Sequence, residues 1–382
     1  MSIKTDLSRS KFDTKILEKF HQETPFFLFS RESLKNKFQE FQKYFPGALI
    51  HFAIKANSEI ALIQTLKDSH ACFEIASKHE LNILKDLKIP CKDIIYGTSV
   101  KPLDHIKEAF DYGIDRFAFD SFQELEKIAA MAPNSRVYVR VVANDTGSVF
   151  KMSEKFGTEV DNVIPLLQKA VSLGLRPYGI SFNVGSQASN SKAWAHAIQV
   201  LRPTIENLKD IGIKIETLNL GGGYPSKYLS SEDAPELKEI AHYIYEEYNK
   251  LSFQPQLILE PGRAIVAEAG VLIATIIARI ERRGITWLFL DAGVYNALYE
   301  AMAYQGSTRY PVTSMRSAFD SGEMMFALAG PTGDGPDIIT KEVLLPRDMD
   351  VGDRLIIHNV GAYSLVVTSP FNGFPKPSVY FI

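Results

Sequence analysis

Between Leu49 and Arg263 the chain alternates, eight times over, between short apolar runs and longer amphipathic ones. The apolar runs are Leu49–Ala56, Cys72–Ser77, Asp93–Gly97, Arg116–Ser121, Arg136–Val142, Pro177–Gly185, Thr217–Gly221 and Leu257–Glu260. The first of them is too short for a helix and is bounded by polar residues, as a buried strand is. The stretches between include Glu59–Asp68, His79–Leu87, Asp104–Tyr112 and Phe122–Met131, which read as amphipathic helices. Eight β units with intervening helices predict a (β/α)8 barrel, whose chemistry sits at the carboxyl ends of its strands. A doubly wound open sheet is the alternative, and the count of eight favours the closed barrel.

After Arg263 the pattern changes. Val271–Ile280, Trp287–Asp291, Met325–Leu328, Leu355–Asn359 and Ser364–Thr368 are short apolar runs separated by Gly, Pro and charged turns, an all-β reading. Pro25–Ser30 reads as a further strand that joins this carboxyl-terminal sheet. The expected organisation is therefore an α/β barrel over 31–265, with residues 1–30 and 266–382 forming an all-β domain.

The formal net charge of −3 and the lack of a basic cluster exclude a nucleic-acid surface. No stretch approaches the roughly 20 apolar residues of a membrane span. The amino terminus is polar and mixed in charge through Glu18, without the apolar core of a signal peptide. Cys72 and Cys91 form no metal-binding pattern, and so few cysteines suit a reducing compartment. A cytoplasmic globular protein is the expectation.

Four features fall at the predicted strand ends. Lys55 closes the run Phe52-Ala53-Ile54-Lys55. For one lysine alone, the plainer reading is a strand-end cation reaching water. A buried lysine instead tends to lose its proton, and a neutral lysine forms a Schiff base with a carbonyl. Gly221-Gly222-Gly223 ends the seventh strand; it lets backbone amides approach an anion, although a tight turn explains it equally well. Glu260-Pro261-Gly262-Arg263 ends the eighth and offers a carboxylate and a guanidinium, or an ordinary salt-bridged turn. Ser181-Phe182-Asn183-Val184-Gly185-Ser186 adds small polar groups at the end of the sixth. Together they describe an aldehyde cofactor with a phosphate tail and a basic ring nitrogen, the three handles of pyridoxal 5'-phosphate.

At these residues the chain resembles the fold type III pyridoxal-phosphate decarboxylases, and within them the ornithine/lysine decarboxylase group. The matching runs are Thr24-Pro25-Phe26-Phe27, Phe52-Ala53-Ile54-Lys55-Ala56-Asn57, Glu74-Ile75-Ala76-Ser77-Lys78, Leu220-Gly221-Gly222-Gly223-Tyr224-Pro225, Glu260-Pro261-Gly262-Arg263-Ala264, Gly330-Pro331-Thr332-Gly333-Asp334 and Phe371-Asn372-Gly373-Phe374. The resemblance implies a barrel of the alanine-racemase type and decarboxylation of an amino acid to its amine and carbon dioxide. It makes Lys55 the Schiff-base lysine and Glu260 the partner of the pyridine nitrogen. Ser186, Gly222, Gly223, Arg263 and Tyr363 then hold the phosphate, and Gly221 and Gly262 join the cofactor contacts. Glu74, Glu80 and Arg140 match positions that line or brace the ring side of the pocket. It further implies a head-to-tail homodimer with active sites shared across the interface. The loop of Gly333 and of Asp334, a catalytic candidate, then serves the partner's site. Lys155 and Asp337 match a pair that bridges the subunits.

Three departures follow from the same comparison. The family's ring-stacking histidine is here Asn183, a catalytic and cofactor-binding candidate with an amide in place of an imidazole. The family's catalytic cysteine is here Gly333. The acid that binds the distal amine of diamino acids has no natural counterpart in Tyr299–Tyr310. An ammonium tail bound there is left unpaired, which disfavours ornithine and lysine. Loss of the thiol that assists protonation implies a slower or differently finished reaction. Protonation at the cofactor carbon then gives an aldehyde and pyridoxamine phosphate instead of an amine, which points toward a specialised biosynthetic decarboxylase. Two rival readings share Lys55: a pyridoxal-phosphate racemase, and a catalytically altered homologue that regulates by binding partners. Retention of Lys55, Glu260, Arg263 and the glycine loop argues against the latter.

Overall fold

The structure, a computed structural model, describes residues 12, 20–231, 233–303, 308–316 and 322–382. The chain divides into two compact units. One comprises Lys35–Pro225 and Asp233–Ala264, the other Met1–Leu34, Ser226–Glu232 and Ile265–Ile382. The strands, in chain order, begin with β1 (Phe26–Phe29), which belongs to the second unit.

The first unit is the expected closed barrel. Its strands are β2 (Leu49–Ala53), β3 (Cys72–Ile75), β4 (Ile94–Tyr96), β5 (Arg116–Phe119), β6 (Arg136–Val142), β8 (Arg176–Asn183), β10 (Thr217–Asn219) and β11 (Gln256–Leu259). All neighbours pair in parallel, and β11 closes the ring on β2 through Ile258↔Leu49 and Leu259↔Ile50. Two short strands outside the ring, β7 (Ser148–Phe150) and β9 (Ser186–Ala188), form an antiparallel ribbon. Ile95, Ala118, Tyr138, Tyr178 and Ile258, with Leu49 packed on them, fill the lumen with one side chain from each of six strands. Side chains alternate along a strand, so Arg140 on β6 and Glu260 beyond β11 continue the same inward faces one layer nearer the carboxyl ends.

The helices between strands begin where local chemistry dictates. Ser77 and Ser121 each accept the amide of a glutamate three residues on, at 3.2 and 3.3 Å, starting Lys78–Asp86 and Phe122–Met131. Gly113, at φ +103°, ends Leu103–Tyr112 in the left-handed conformation that glycine adopts without strain.

The second unit is a mostly antiparallel sheet of β12 (Gly270–Arg282), β13 (Ile285–Leu290), β14 (Val312–Ser314), β15 (Glu323–Ala329), β16 (Ile338–Pro346), β17 (Arg354–His358) and β18 (Ser378–Phe381). β1 lies between β12 and β18, so the segment expected to join this sheet does so. Arg283 and Gly284, both at positive φ, make the tight turn between β12 and β13. Phe26, Leu28, Val271, Ile273 and Ile356 form a core in this unit. One expected strand is wrong: within Ser364–Thr368, Leu365–Val367 is a short 3-10 turn. Leu365 is buried there while Val366 and Val367 are exposed, and the Val367 amide donates to the Ser364 carbonyl at 3.2 Å within the turn itself.

Candidate active site

Lys55 lies in the turn Ile54–Ala56, immediately beyond the carboxyl end of β2. Its Nζ donates to Glu74 Oε2 at 2.8 Å, and the side chains are 45% and 2% exposed respectively. The amine thus reaches open space while its carboxylate partner is fixed inside. Glu74, on β3, packs its carboxylate over Gly97, where an added Cβ would overlap it. That glycine is therefore required by the carboxylate above it.

Glu260 follows β11. Burial, then the nearby charge of Glu74, raises its pKa above the ordinary carboxylate value; Lys55, a hydrogen bond from Asn219 and Arg140 oppose that rise. The Asn219 bond runs from Nδ2 to Glu260 Oε1 at 2.6 Å, while Asn219 Oδ1 accepts the Gly221 amide at 2.9 Å. Asn219 thereby ties the carboxylate to the start of the glycine turn, a part the sequence reading missed. The signal was available: Thr217 and Asn219 alternate with Leu218 along β10, which places the amide on the face that carries Ile258 and Glu260 on the next strand.

Arg140 is held with its guanidinium 4.9 Å from the centre of the Phe156 ring. Burial lowers its pKa, against the pull of Glu260, Asp120 and Glu74. Glu80 accepts the Ala76 amide at 2.6 Å, and its pKa is pushed up to about 7 by burial and then by Glu74.

At the other side of the barrel mouth the backbone itself forms the surface. Gly221 and Gly223 have φ of +64° and +95°, and Cβ atoms there would overlap the carbonyl oxygens of Phe182 and Gly185. A Cβ on Gly222 would stand 2.8 Å from the Glu260 carbonyl oxygen and 3.8 Å from Asn183 Nδ2. Trp194 Nε1 donates to the Gly222 carbonyl at 3.2 Å, and its ring stacks on Tyr224 with centroids 4.7 Å apart. Gly262 packs against Ala56, where a Cβ would come within 2.8 Å of the alanine Cβ. Arg263 is buried, 5.0 Å from the centre of the Phe150 ring, and Phe150 pairs in register with Ser186. Asn183 accepts the Gly185 amide through Oδ1 at 2.9 Å, bracing its own loop.

Lys55, Glu74, Glu80, Arg140, Asn183, Ser186, Gly221, Gly222, Gly223, Glu260, Gly262 and Arg263 therefore all belong to the barrel unit. Asp334, Gly333, Asp337 and Tyr363 belong to the β unit. There Asp334 accepts the Tyr295 hydroxyl, and a Cβ on Gly333 would meet no neighbour within 4 Å. Asp337 is buried and accepts from the amides of Val294 and Thr332 at 2.8 and 3.0 Å, and from the Thr332 hydroxyl at 2.6 Å. Asp337 thus shapes its own loop. Tyr363 has a positive φ of 52°. In the stretch Tyr299–Tyr310, positions 304–307 lie outside the described residues.

The pyridoxal binding domain of the pyridoxal-dependent decarboxylases matches residues 31–267. Antizyme inhibitor 2 of Xenopus laevis is 31% identical over 369 residues, which cover 93% of this chain and 80% of that protein. The lysine/ornithine decarboxylase of Selenomonas ruminantium is 29% identical over 360 residues, covering 94% and 90%. The crystal structure of the Paramecium bursaria Chlorella virus arginine decarboxylase bound to agmatine superposes with a TM-score of 0.89 at 28% identity, covering 96% of this chain and 98% of that one.

Proposed function

This chain belongs to the pyridoxal-dependent decarboxylases, and from that premise we propose that it converts an ornithine/lysine-type or related amino acid to the amine and carbon dioxide, with Lys55 as the amine that holds the cofactor between turnovers. It is an amino-acid decarboxylase, and pyridoxal 5'-phosphate is its cofactor. When bound, that group supplies an aldehyde that takes an amine and a ring that accepts the electron pair left by departing carbon dioxide.

The residues fit this group. Three side-chain-free positions and a buried arginine suit a phosphate, and a carboxylate whose pKa is raised by burial suits a neighbouring cationic ring nitrogen. The observation that carries the reading is the pairing of an outward-reaching Lys55 with the buried Glu74 at 2.8 Å. Glu74 orients the amine and can stabilise its protonated form while substrate exchanges for it. Glu260, steadied by Asn219, keeps a proton on the ring nitrogen. Arg140 offsets the charge of Glu260 and Glu74. The main chain of Gly221–Gly223 and the guanidinium of Arg263 anchor the phosphate.

The substrate is narrowed by what flanks the reaction. Within Tyr299–Tyr310 no acid falls at the place expected for a distal-ammonium partner, so a diamino acid loses that partner and a related amino acid without that tail is favoured. The Gly333–Asp334 loop is assigned to the partner's site in a homodimer, which Lys155 and Asp337 help to bridge. Cys72 and Cys91 are both free, in keeping with a reducing, cytoplasmic setting. Among the described residues no helix is long and apolar enough to cross a membrane.

The test is a screen of amino acids for carbon dioxide release by the purified chain, with Lys55→Ala as the blank. Release that the blank lacks supports the reading, and ornithine or lysine turned over as well as any other substrate removes the specificity argument. A second reading, regulation through a protein partner, is favoured by the glycine at 333 and by the likeness to antizyme inhibitor 2. A chain that binds the cofactor through Lys55 yet releases carbon dioxide from no amino acid supports that reading instead.

A further inference from the structure

The segment 145–153 departs from the barrel after β6 and returns to it, and one side chain closes it. Asp145 is buried; its Oδ2 accepts the amides of Met152 and Ser153 at 2.7 and 2.8 Å, and its Oδ1 accepts the Ser153 hydroxyl at 2.9 Å. Its own carbonyl accepts the Ser148 amide at 3.0 Å. Burial opposes the charge on Asp145, but the hydrogen bonds outweigh it and keep its pKa below the usual value. Both ends of the segment are thus gathered on one carboxylate, and what lies between is held out as β7.

The placement of β7 is tight. A Cβ on Gly185 would stand 2.5 Å from Ser148 Cβ and 3.0 Å from the Phe150 carbonyl oxygen. Gly185 in turn presents its carbonyl to Gly223. Three backbones are therefore stacked: β7, the turn before Ser186, and the glycine turn. Val149 faces out, while Phe150 turns in, is buried, and lies 5.0 Å from the Arg263 guanidinium carbon. An arginine's donors lie in the plane of its guanidinium, so a ring over one face excludes water and leaves the edges to bind.

We propose that Asp145 is a positioning residue for the phosphate end of the cofactor site, acting through Phe150, which it holds against Arg263 and in register with Ser186. This rests on the reading of Arg263 and the glycine turn as the phosphate anchor. Removing the carboxylate lets β7 drift, and Arg263 loses both its cover and its fixed orientation.

The full chain, stripped of cofactor, is titrated with pyridoxal phosphate and separately with phosphate-free pyridoxal, following the absorbance of the bound form. The parent chain binds the phosphorylated compound more tightly. Asp145→Asn and Phe150→Leu each weaken that binding about ten-fold and leave pyridoxal binding unchanged, while Phe150→Tyr retains the parent's preference. A parent chain that binds both compounds equally defeats the phosphate assignment and this proposal with it. A parent that prefers the phosphate, with variants that keep the full preference or weaken both compounds alike, overturns the proposal alone. Should Asp145→Asn fail to fold, Phe150→Leu carries the same decision.

Discussion

Asn219 and Glu260 are joined by a 2.6 Å hydrogen bond across two adjacent barrel strands, and the same amide side chain accepts the first amide of the glycine turn. In the proposed site, one short residue thus couples the group assigned to the cofactor's ring nitrogen to the backbone assigned to its phosphate.

Asn219→Ala removes the donor and lets the Glu260 pKa rise further, since that bond opposes the effect of burial. A hydrogen bond to a carboxylate is worth about 1.5–3 kcal/mol, so kcat should fall about ten-fold or more. KM should change little, because Asn219 is assigned no contact with substrate. Steady-state kinetics on the holoenzyme decide it; an unchanged kcat rules out the coupling.

Glu80 supplies a pH dependence. Its pKa is pushed from 4.5 to about 7, mainly by burial. Between those values the folded chain holds a proton that the unfolded chain has released. The group therefore costs stability above about pH 7, and the cost disappears as pH falls toward 4.5. Glu80→Gln keeps an acceptor for the Ala76 amide and removes the charge. It should be more stable than the parent by about 1–3 kcal/mol at pH 8 and no different near pH 4.5. Thermal melts across that range would show the two curves converging on the acid side; parallel curves contradict the burial argument.

Gly221→Ala meets both a left-handed φ of +64° and the Phe182 carbonyl oxygen. The backbone must shift, at about 1–3 kcal/mol or more. A lower melting temperature and loss of bound cofactor on dialysis are expected. A variant with parent-like cofactor content would mean that the turn is not the phosphate anchor.

Gly333→Cys tests the missing thiol. A Cβ there meets nothing within 4 Å and the backbone needs no positive φ, so folding should be unaffected. In a single turnover, the share ending in amine should rise and the share converting the cofactor to its amine form should fall. A parent chain that already yields clean amine removes the premise.

The barrel was readable because its strands are largely buried on both faces and therefore appear as unbroken apolar runs, as in Phe117-Ala118-Phe119 and Leu257-Ile258-Leu259. Strands with one wet face were harder. β16 carries Lys341 and Glu342 at its centre, is exposed over much of its length, and passed unnoticed. Ser364–Thr368 has strand-forming residues but turns back on its own backbone, and composition alone cannot reveal that. At the site, Lys55, Glu260 and Arg263 stood out because each ends an apolar run with a charge. Asn219 did not, because an amide before glycines reads as turn chemistry, and its partner lies 41 residues away. Asp145 was hidden for the same reason, its bonds being to amides seven and eight residues on.

The stacking of Gly221 and Gly223 on the carbonyls of Phe182 and Gly185 has a consequence for how such an enzyme changes over time. In the proposed site, the part of the phosphate grip made by Gly221–Gly223 is main chain, which substitution can break but not gradually retune. Positions 183 and 333 lie outside that turn. A lineage can exchange them one at a time, altering which bond is remade and on which substrate, while the cofactor stays seated. Inheritance of the cofactor and invention of the reaction are, in this architecture, carried by different atoms.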